Sequence, residues 1–387
     1  MQLIKEVKRY IFVKMKESKL KQAVQSILDL ADVKINGDNP WDIQVHDDRF
    51  YQRVLAHGSL GLGESYMDGW WDCKKIDEFI YKILSSDLDK KVRFNMNIIF
   101  EFIKSSVSNM QRKSRAFIIG KKHYDIGNEL YKNMLDKRMN YSCGYWKNAS
   151  DLNKAQEAKL DLICKKLKLK AGMKVLDIGC GWGAFAKYAA EKYKVKVVGI
   201  TVSKNQIDLA RGICKGLPVE IRLQDYRDLN EKFDAVVSIG MFEHVGYKNY
   251  GTFMKVVHKC LKDNGLFLLH TIGGNKSVIH TDPWIGKYIF PNSMLPSIKQ
   301  IGKSVEGLFV MEDWHNFGAD YDKTLMAWHD NFENNWDKLK GSYDERFYRM
   351  WKYYLLSCAG SFRYRKNQLW QIVFSKNGVE GGYESVR

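Results

Sequence analysis

The chain has 387 residues, of which 45% are hydrophobic and only five are proline. This length predicts two or three domains, and the composition excludes a disordered or fibrous protein. No apolar run reaches the roughly 18 to 20 residues that a spanning helix needs, and the first ten residues carry too much charge for a secretory signal. We therefore expect a folded protein that stays in the compartment where it is made and does not cross a membrane.

The formal charge of +17 at pH 7 indicates a polyanionic partner: nucleic acid, an anionic lipid surface or an acidic protein. The seven cysteines are an odd number and lack C-x-x-C spacing. This arrangement argues against a disulfide framework or a zinc site and favours a reducing compartment. Charge and cysteine content together leave the class of partner open.

The first third of the chain is mainly helical in pattern. Apolar residues recur at helical spacing over residues 3–31 with lysines between them, which predicts basic amphipathic helices that cover a core or contact a membrane. Turn-forming residues over 33–45 predict a hairpin or another turn-rich element. Two helical patterns follow over about 76–110, and the polar, basic run 105–115 is the candidate linker.

After about residue 120, short β-branched runs alternate with longer helical patterns. This alternation predicts an α/β fold with a doubly wound sheet. A late strand over 369–375 follows helical patterns over about 322–339 and 344–365, and we expect it to close the sheet. The earlier predicted strands span residues 174–178, 196–202, 219–223, 233–239 and 265–271.

The most informative short motif is VLDIGCGWGA over residues 175–184, a buried strand that enters a glycine turn and then a helix. Gly179, Gly181 and Ala184 would also fit a dinucleotide fingerprint. However, Asp177 places a carboxylate at the mouth of the turn, which would repel a pyrophosphate and suits the ammonium and sulfonium of S-adenosylmethionine. The second strand also lacks the acidic residue that a dinucleotide ribose needs. The motif therefore favours S-adenosylmethionine over NAD.

Two further segments are candidates for the cofactor site. The spacing of Ser203 and Gln206 is that of a capping box, so the pair either starts a helix or contacts the cofactor. After the third strand, Asp225 could accept a hydrogen bond from an exocyclic amine and Tyr226 could stack on a base. An ordinary exposed loop explains these residues equally well, and both alternatives stay open.

Seven motifs between about residue 120 and the end of the chain resemble, in the same order, those of the bacterial cyclopropane-fatty-acyl-phospholipid synthases, which are related to the mycolic acid cyclopropane synthases. The resemblance implies a Rossmann-like class I S-adenosylmethionine-dependent methyltransferase domain over residues 111–387. It also implies a smaller, mainly helical domain over residues 1–110 for dimerisation, membrane docking or both. Besides the glycine turn, the motifs are HYDIGN (123–128), YSCGYW (141–146), GMFEHVG (240–246), LHTIG (269–273), MEDWHNFG (311–318) and CAG (358–360).

The implied reaction is transfer of the methyl group of S-adenosylmethionine to a cis double bond of an unsaturated phospholipid acyl chain, followed by closure of a cyclopropane ring. Methyl addition leaves a carbocation, which aromatic faces and an anion can stabilise before a base removes a proton from the new methyl group. In the family, bound bicarbonate is that base. The resemblance places its ligands at Cys143, Glu243, His270, Ile272 and Tyr321.

The resemblance also implies which residues bind the cofactor. Cys358 lies in a helical pattern, and its family counterpart has been a candidate nucleophile. We predict a packing role near the pocket for Cys358, because methyl transfer to carbon needs no thiolate and an apolar helix raises the pKa of a thiol. In addition to Asp177 and Asp225, the cofactor-binding positions are Tyr141, Ser142, Gly179, Gly181, Thr201, Gln206, Tyr226 and Arg227.

The implied partner is unsaturated phospholipid in an anionic membrane, without nucleic acid and without a metal. The protein is then expected to be a cytoplasmic homodimer, peripherally associated with the inner face of the bacterial membrane. One alternative is a methyl-branching or hydroxylating relative that shares the cation intermediate. An N- or O-methyltransferase, including one that acts on RNA, would agree with the positive charge. However, the sequence lacks the Asn/Asp-Pro-Pro-Tyr-like tetrapeptide expected for methylation of an exocyclic amine. A non-catalytic basic module would be expected to have a damaged site.

Overall fold

The computed structural model describes residues 18–86 and 127–387. The first described residues, 18–29, are helical, and none of the helices in the described ranges is long and apolar enough to cross a membrane. The further helices are α1 (Arg49–Met67), α2 (Ile76–Ser85), α3 (Asn128–Met134), α4 (Leu152–Lys166), α5 (Ala184–Tyr193), α6 (Lys204–Ile213), α7 (Tyr250–Cys260), α8 (Pro283–Tyr288), α9 (Ile298–Val305), α10 (Ala319–Asn334), α11 (Trp336–Leu339) and α12 (Glu345–Arg363). The strands are β1 (Gln44–Val45), β2 (Trp71–Asp72), β3 (Lys174–Ile178), β4 (Lys196–Thr201), β5 (Val219–Leu223), β6 (Phe233–Ile239), β7 (Leu261–Gly274), β8 (Val310–Asn316) and β9 (Asn367–Ser375).

The chain falls into two compact units. The second unit comprises Gly127–Thr281, Asn292–Trp336 and Arg365–Arg387, and the first holds the N-terminal part together with Asp282–Pro291 and Asp337–Tyr364. Helices α8 and α12, late in the sequence, therefore belong with the early helices. The predicted division at residue 110 lies outside the described residues, as do the candidate linker and the first four residues of the HYDIGN motif, so these stay predictions.

A seven-stranded sheet organises the second unit. Its order is β5-β4-β3-β6-β7-β9-β8. The first five strands in this order are parallel to one another, and β9 lies antiparallel to both β7 and β8. The side chains of Leu176 and Val236 pack into one apolar cluster, whereas those of Val175 and Val237 pack into another on the opposite face. Because helices cover both faces, the strands read as continuous apolar runs in the sequence. The predicted doubly wound sheet and its late strand are confirmed.

Strand bounds agree with the sequence for most of the parallel strands. The predictions for β3, β5 and β6 coincide with the observed strands, and β4 is one residue shorter than predicted. β7 is longer than predicted, and β8 was not predicted as a strand. The adjacent acidic residues Glu312 and Asp313 interrupt β8, so this strand shows neither the apolar run nor the regular alternation that predicts a strand.

The first unit contains the turn-rich element that the sequence predicted over residues 33–45, and not the alternative hairpin. Residues 33–45 are rich in turns, but they do not form a hairpin: β1 pairs with β2 instead, and the Asp42 carboxylate accepts hydrogen bonds from the amides of Lys34 and Asn39. Of the helical patterns predicted over 3–31 and 76–110, the structure describes helical residues 18–29 and α2. The remaining parts of both patterns lie outside the described residues.

Trp71 forms the centre of the first unit's core. Its ring is fully buried and packs against Tyr66, Phe79 and Tyr353 at centroid distances of 5.1 to 6.3 Å. Arg349 of α12 donates to the Trp71 carbonyl at 2.8 Å. These aromatic and polar contacts hold α12 in the first unit.

Candidate active site

The glycine turn between β3 and α5 leaves space beside the backbone. Gly179 and Gly181 have φ of 85° and 54°, a conformation that glycine adopts without strain. The amides of Gly179 and Cys180 both donate to the Ile200 carbonyl at 3.0 Å, which ties the turn to β4. A Cβ added at Gly181 would meet no atom within 4 Å. The turn is therefore held in place while one side of it stays open to a ligand.

Asp177 is a buried carboxylate next to this turn. Only 1% of the residue is exposed, and neither carboxylate oxygen accepts a hydrogen bond within the part of the chain described. Burial raises the pKa of Asp177 to about 7, and the charge of Lys159 acts in the opposite direction. An unpartnered buried carboxylate beside an open glycine turn fits a cationic ligand such as S-adenosylmethionine.

Lys159 is a site residue that the sequence reasoning missed. The Nζ of this buried lysine donates to Asn140 Oδ1 at 2.9 Å and to Ser142 Oγ at 3.0 Å. Burial lowers its pKa to about 8, against the opposing charges of Asp136 and Asp177. A detectable signal was its place on the face of α4 that also carries buried apolar residues, since a lysine there needs buried partners.

The segment that carries Tyr141 and Ser142 runs alongside this lysine. The Ser142 carbonyl accepts from the Gln156 side chain at 2.8 Å, and the Tyr141 ring lies 5.3 Å from that of Trp328. A Cβ at Gly240, just after β6, would lie 3.9 Å from the Ser142 Cβ. These contacts bring the two predicted cofactor positions to the carboxyl edge of the sheet.

Thr201 and Gln206 also interact at this edge. The Thr201 hydroxyl donates to Gln206 Oε1 at 3.2 Å and accepts from the Ser203 amide at 3.1 Å. A helix does begin at Lys204, but the Ser203 side chain makes no capping hydrogen bond. The capping-box explanation of Gln206 is therefore wrong in its hydrogen bonding, because the amide side chain pairs with the end of β4 instead.

The loop after β5 is built around an ion pair. The Arg227 guanidinium donates to both carboxylate oxygens of Asp225 at 2.8 and 2.7 Å, and this pairing lowers the pKa of Asp225. The Tyr226 ring packs edge-on against Phe253 at 5.3 Å. Any amine that binds Asp225 must share the carboxylate with Arg227, and the contacts of this loop to a cofactor stay predictions.

Glu243, His270 and Ile272 meet at the ends of β6 and β7. The Ile272 amide donates to Glu243 Oε1 at 2.7 Å, while Oε2 is buried and accepts no hydrogen bond within the described ranges. Burial raises the pKa of Glu243 to about 7, against the opposing effects of the Ile272 amide and the Thr271 hydroxyl. The site thus holds a carboxylate with one oriented oxygen and one oxygen available.

His270 is neutral and is oriented by a glutamine. Gln371 Nε2 lies 3.3 Å from His270 Nδ1, and because an amide nitrogen can only donate, we assign the ring proton to Nε2. His270 Nε2 has no partner in the described parts of the chain. Burial and the charges of Lys159 and Lys166 hold the pKa of His270 well below its usual range. Its Nε2–H is therefore a buried donor without an acceptor.

Helix α10 positions Cys143 and Tyr321. The fully buried Cys143 Sγ lies 3.2 Å from the Gly144 carbonyl oxygen and 3.9 Å from Thr324 Oγ1, and burial raises its pKa well above the usual range. Tyr321 is buried one turn earlier on α10, edge-on to Trp328 at 6.0 Å. Cys143 is accordingly a neutral thiol that can donate a weak hydrogen bond.

The remaining candidate, Cys358, belongs to the first unit. It lies on α12, and desolvation together with the nearby Asp282 carboxylate raises its pKa to about 12. A thiol with this pKa is protonated at neutral pH, which agrees with a packing role. That role stays a prediction.

The order of the sheet, the glycine turn after β3 and the buried Asp177 define a class I S-adenosylmethionine-dependent methyltransferase. Residues 111–372 match the family described as mycolic acid cyclopropane synthetase. The chain belongs to this family, as its motifs predicted, and it is an S-adenosylmethionine-dependent methyltransferase.

Individual relatives agree with this assignment. The chain is 55% identical to a cyclopropane-fatty-acyl-phospholipid synthase of Escherichia coli (strain K12), over 93% of this chain and 94% of the relative. It is 38% identical to a probable fatty acid methyltransferase of Pseudomonas putida, over 68% and 70% of the two chains. A solved mycolic acid cyclopropane synthase complexed with SAH and CTAB superposes with a TM-score of 0.61 at 33% identity, covering 66% of this chain and 96% of that one.

Proposed function

We propose that the protein is a cyclopropane-fatty-acyl-phospholipid synthase, which methylates a cis double bond of an unsaturated phospholipid acyl chain and closes the ring. The 55% identity to the Escherichia coli protein of that name supports this reaction. The observation that carries the proposal is a pair of buried atoms, Glu243 Oε2 and His270 Nε2, that have no partner among residues 18–86 and 127–387. A buried acceptor and a buried donor at one end of the sheet need a polar occupant. Because an isolated alkene is apolar, this occupant must be a species other than the double bond of the substrate.

S-adenosylmethionine supplies an electrophilic methyl group when it is bound. We propose that the Asp177 carboxylate attracts its positive charge and that Gly181 allows its close approach to the backbone. We expect Tyr141 and Ser142, at the same carboxyl edge of the sheet, to contact the bound cofactor. Because an isolated alkene is a weak nucleophile, these residues must act mainly by holding the methyl group and the double bond in line in a dry pocket.

Bicarbonate would supply the base that removes a proton from the new methyl group, and the donor set fits it. His270 Nε2–H can donate to its oxygens, the Cys143 thiol can do so by turning its proton away from the Gly144 carbonyl, and Glu243 Oε2 can accept its hydroxyl proton. The Ile272 amide is already engaged by Glu243 Oε1. We therefore propose that Ile272 orients the carboxylate, and that Tyr321 completes the set from α10.

The charges around this cluster suit a reaction that passes through a cation. The low pKa of His270 keeps its ring neutral, so it places no second positive charge beside the substrate. The Glu243 carboxylate and the aromatic rings of Tyr321, Trp328 and Phe317 can stabilise positive charge.

The test uses purified protein, trideuteromethyl-labelled S-adenosylmethionine and vesicles of unsaturated anionic phospholipid, with the acyl products identified by mass spectrometry. Ring closure removes one hydrogen from the transferred methyl group, so the expected product gains one CH2 unit that retains two deuterons. We expect Glu243→Gln to bind the cofactor but to form ring product about 10² to 10⁴ times more slowly. Glu129→Gln, which changes an exposed glutamate of α3, is the matched control.

A methyl-branching reaction is the second candidate, because the chain is also similar to a protein described as a probable fatty acid methyltransferase. The same assay separates the two reactions, since a branched product with an intact methyl group retains three deuterons. Label in no lipid at all, with the cofactor still bound, would contradict both candidates and favour an N- or O-methyltransferase.

We further propose that the protein works as a homodimer at the anionic inner face of a bacterial membrane. The net charge of +17 supports such a surface. Sedimentation velocity measures the oligomeric state. Equal activity per subunit in an enforced monomer would contradict any functional need for the dimer.

A further inference from the structure

Three large aliphatic side chains are exposed close together in the second unit. Val278 is 39% exposed, Ile279 66% and Ile298 57%. The two segments that carry them are joined, since the Gln300 side chain donates to the Val278 carbonyl at 2.9 Å. We call Val278, Ile279 and Ile298 the aliphatic patch. Side chains of this size at the surface lose favourable free energy unless another apolar medium covers them.

The two chain segments that carry the aliphatic patch contain lysines and no acidic residue, with Asp282 and Glu306 lying beyond their ends. Residues 273–281 and 292–303 contain Lys276, Lys299 and Lys303 but no aspartate or glutamate. All three lysines are exposed, and none forms an ion pair within the described residues. Unpaired lysines around exposed aliphatic side chains complement a surface that is anionic outside and apolar inside.

Both segments lead directly out of the candidate active site. Val278 lies four residues beyond the end of β7, the strand that carries His270 and Ile272. In the other segment, the Met294 amide donates to the Glu243 carbonyl at 2.8 Å, four residues before Ile298. A lipid held at the aliphatic patch would therefore have its acyl chain near the opening of the site.

We propose that the aliphatic patch and its three lysines dock the second unit onto an anionic phospholipid bilayer, beside the point where an acyl chain enters the site. The lysines bind the headgroups, and the aliphatic side chains enter the acyl boundary. This inference rests on the proposed function for the substrate's location, but binding to vesicles tests it without any turnover.

The experiment compares binding to vesicles of phosphatidylglycerol and phosphatidylcholine with binding to vesicles of phosphatidylcholine alone. The charge variant, K276Q/K299Q/K303Q, removes all three lysines. At about 1 kcal/mol per lysine, it should bind anionic vesicles on the order of a hundredfold more weakly and with a smaller salt dependence. The aliphatic variant, I279S/I298S, should bind these vesicles about tenfold more weakly, with an unchanged salt dependence. The control is K170Q/K192Q/K196Q, whose exposed lysines lie near the amino ends of β3 and β4.

Turnover then separates this inference from the proposed function. Both docking variants should lose ring formation on vesicles but retain it on phospholipid dispersed in nonionic detergent. If both docking variants bind vesicles as tightly as the control variant does, the docking proposal is overturned, even if the wild type forms ring product. A wild type that binds vesicles through these residues but forms no ring would leave docking intact and contradict the function. Conversion of a dimer to monomers by either variant would instead identify the patch as an interface between copies, and would also overturn docking.

Discussion

Replacement of Lys159 by methionine tests the electrostatics of the cofactor site. Burial lowers the pKa of this lysine from 10.5 to about 8. At about 1.4 kcal/mol per pH unit, holding the charged form in the folded state at pH 7 costs about 3 kcal/mol. The replacement removes this cost, but it also leaves Asn140 Oδ1 and Ser142 Oγ without their donor, at about 1 to 3 kcal/mol each. The two effects nearly cancel at pH 7.

The pH dependence separates these effects. Because the pKa of Lys159 is lower in the folded state, the unfolded chain binds more protons between about pH 8 and 10.5, and folding becomes more favourable as the pH rises. Asp177 and Glu243, whose pKa values are about 7, have largely ionised below this window. The wild type should therefore gain about 2 kcal/mol relative to Lys159→Met between pH 7 and 9.5.

Urea unfolding of both proteins at pH 7, 8, 9 and 9.5 measures this difference. Lys154→Met, which removes an exposed lysine from the same helix, is the control, and its difference from the wild type should stay constant. Comparison with the wild type also cancels the contribution of Lys166, whose pKa is about 8 as well. A constant free-energy difference between Lys159→Met and the wild type would refute the argument that Lys159 is held charged against its desolvation.

Three other changes test the remaining parts of the site. Since the pKa of Asp177 is about 7, the wild type should bind S-adenosylmethionine about tenfold more weakly at pH 6 than at pH 8. Asp177→Asn should bind it weakly at both pH values. If calorimetry finds the same pH dependence in both proteins, the proposed role of this carboxylate is contradicted. Gly181→Ala should cost only about 1 kcal/mol of stability but weaken cofactor binding at least about tenfold, whereas a Cβ at Gly179 would lie 2.7 Å from Met241 and should cost more stability. Unimpaired cofactor binding by Gly181→Ala would show that the open side of the turn does not hold the ligand. Cys358→Ser should keep kcat within about threefold because the thiol, with a pKa of about 12, is protonated at neutral pH; a loss above about a hundredfold would restore the nucleophile hypothesis.

Local sequence was sufficient for the features that depend on neighbouring residues. The bounds of β3 and β6 followed from short apolar runs, those of β5 from alternating apolar and charged residues, and the glycine turn from the need for positive φ at Gly179 and Gly181. The carboxylate at Asp177 already favoured a cationic ligand. These properties are encoded within a few residues, so a linear reading recovers them.

The tertiary structure decided the features that need distant residues. The exposed edge strand β8 is formed only by pairing with β9, and α12 joins helices that precede it by more than 250 residues. The burial of Lys159, the pairing of Gln206 with Thr201 and the unpartnered atoms of Glu243 and His270 all depend on packing between separate elements. The sequence alone was sufficient to predict most of the chemical groups of the site and the order in which they occur, but not the buried Lys159. Which of these groups are desolvated, paired or left available was set by long-range packing, because burial and hydrogen bonding are properties of neighbours in space.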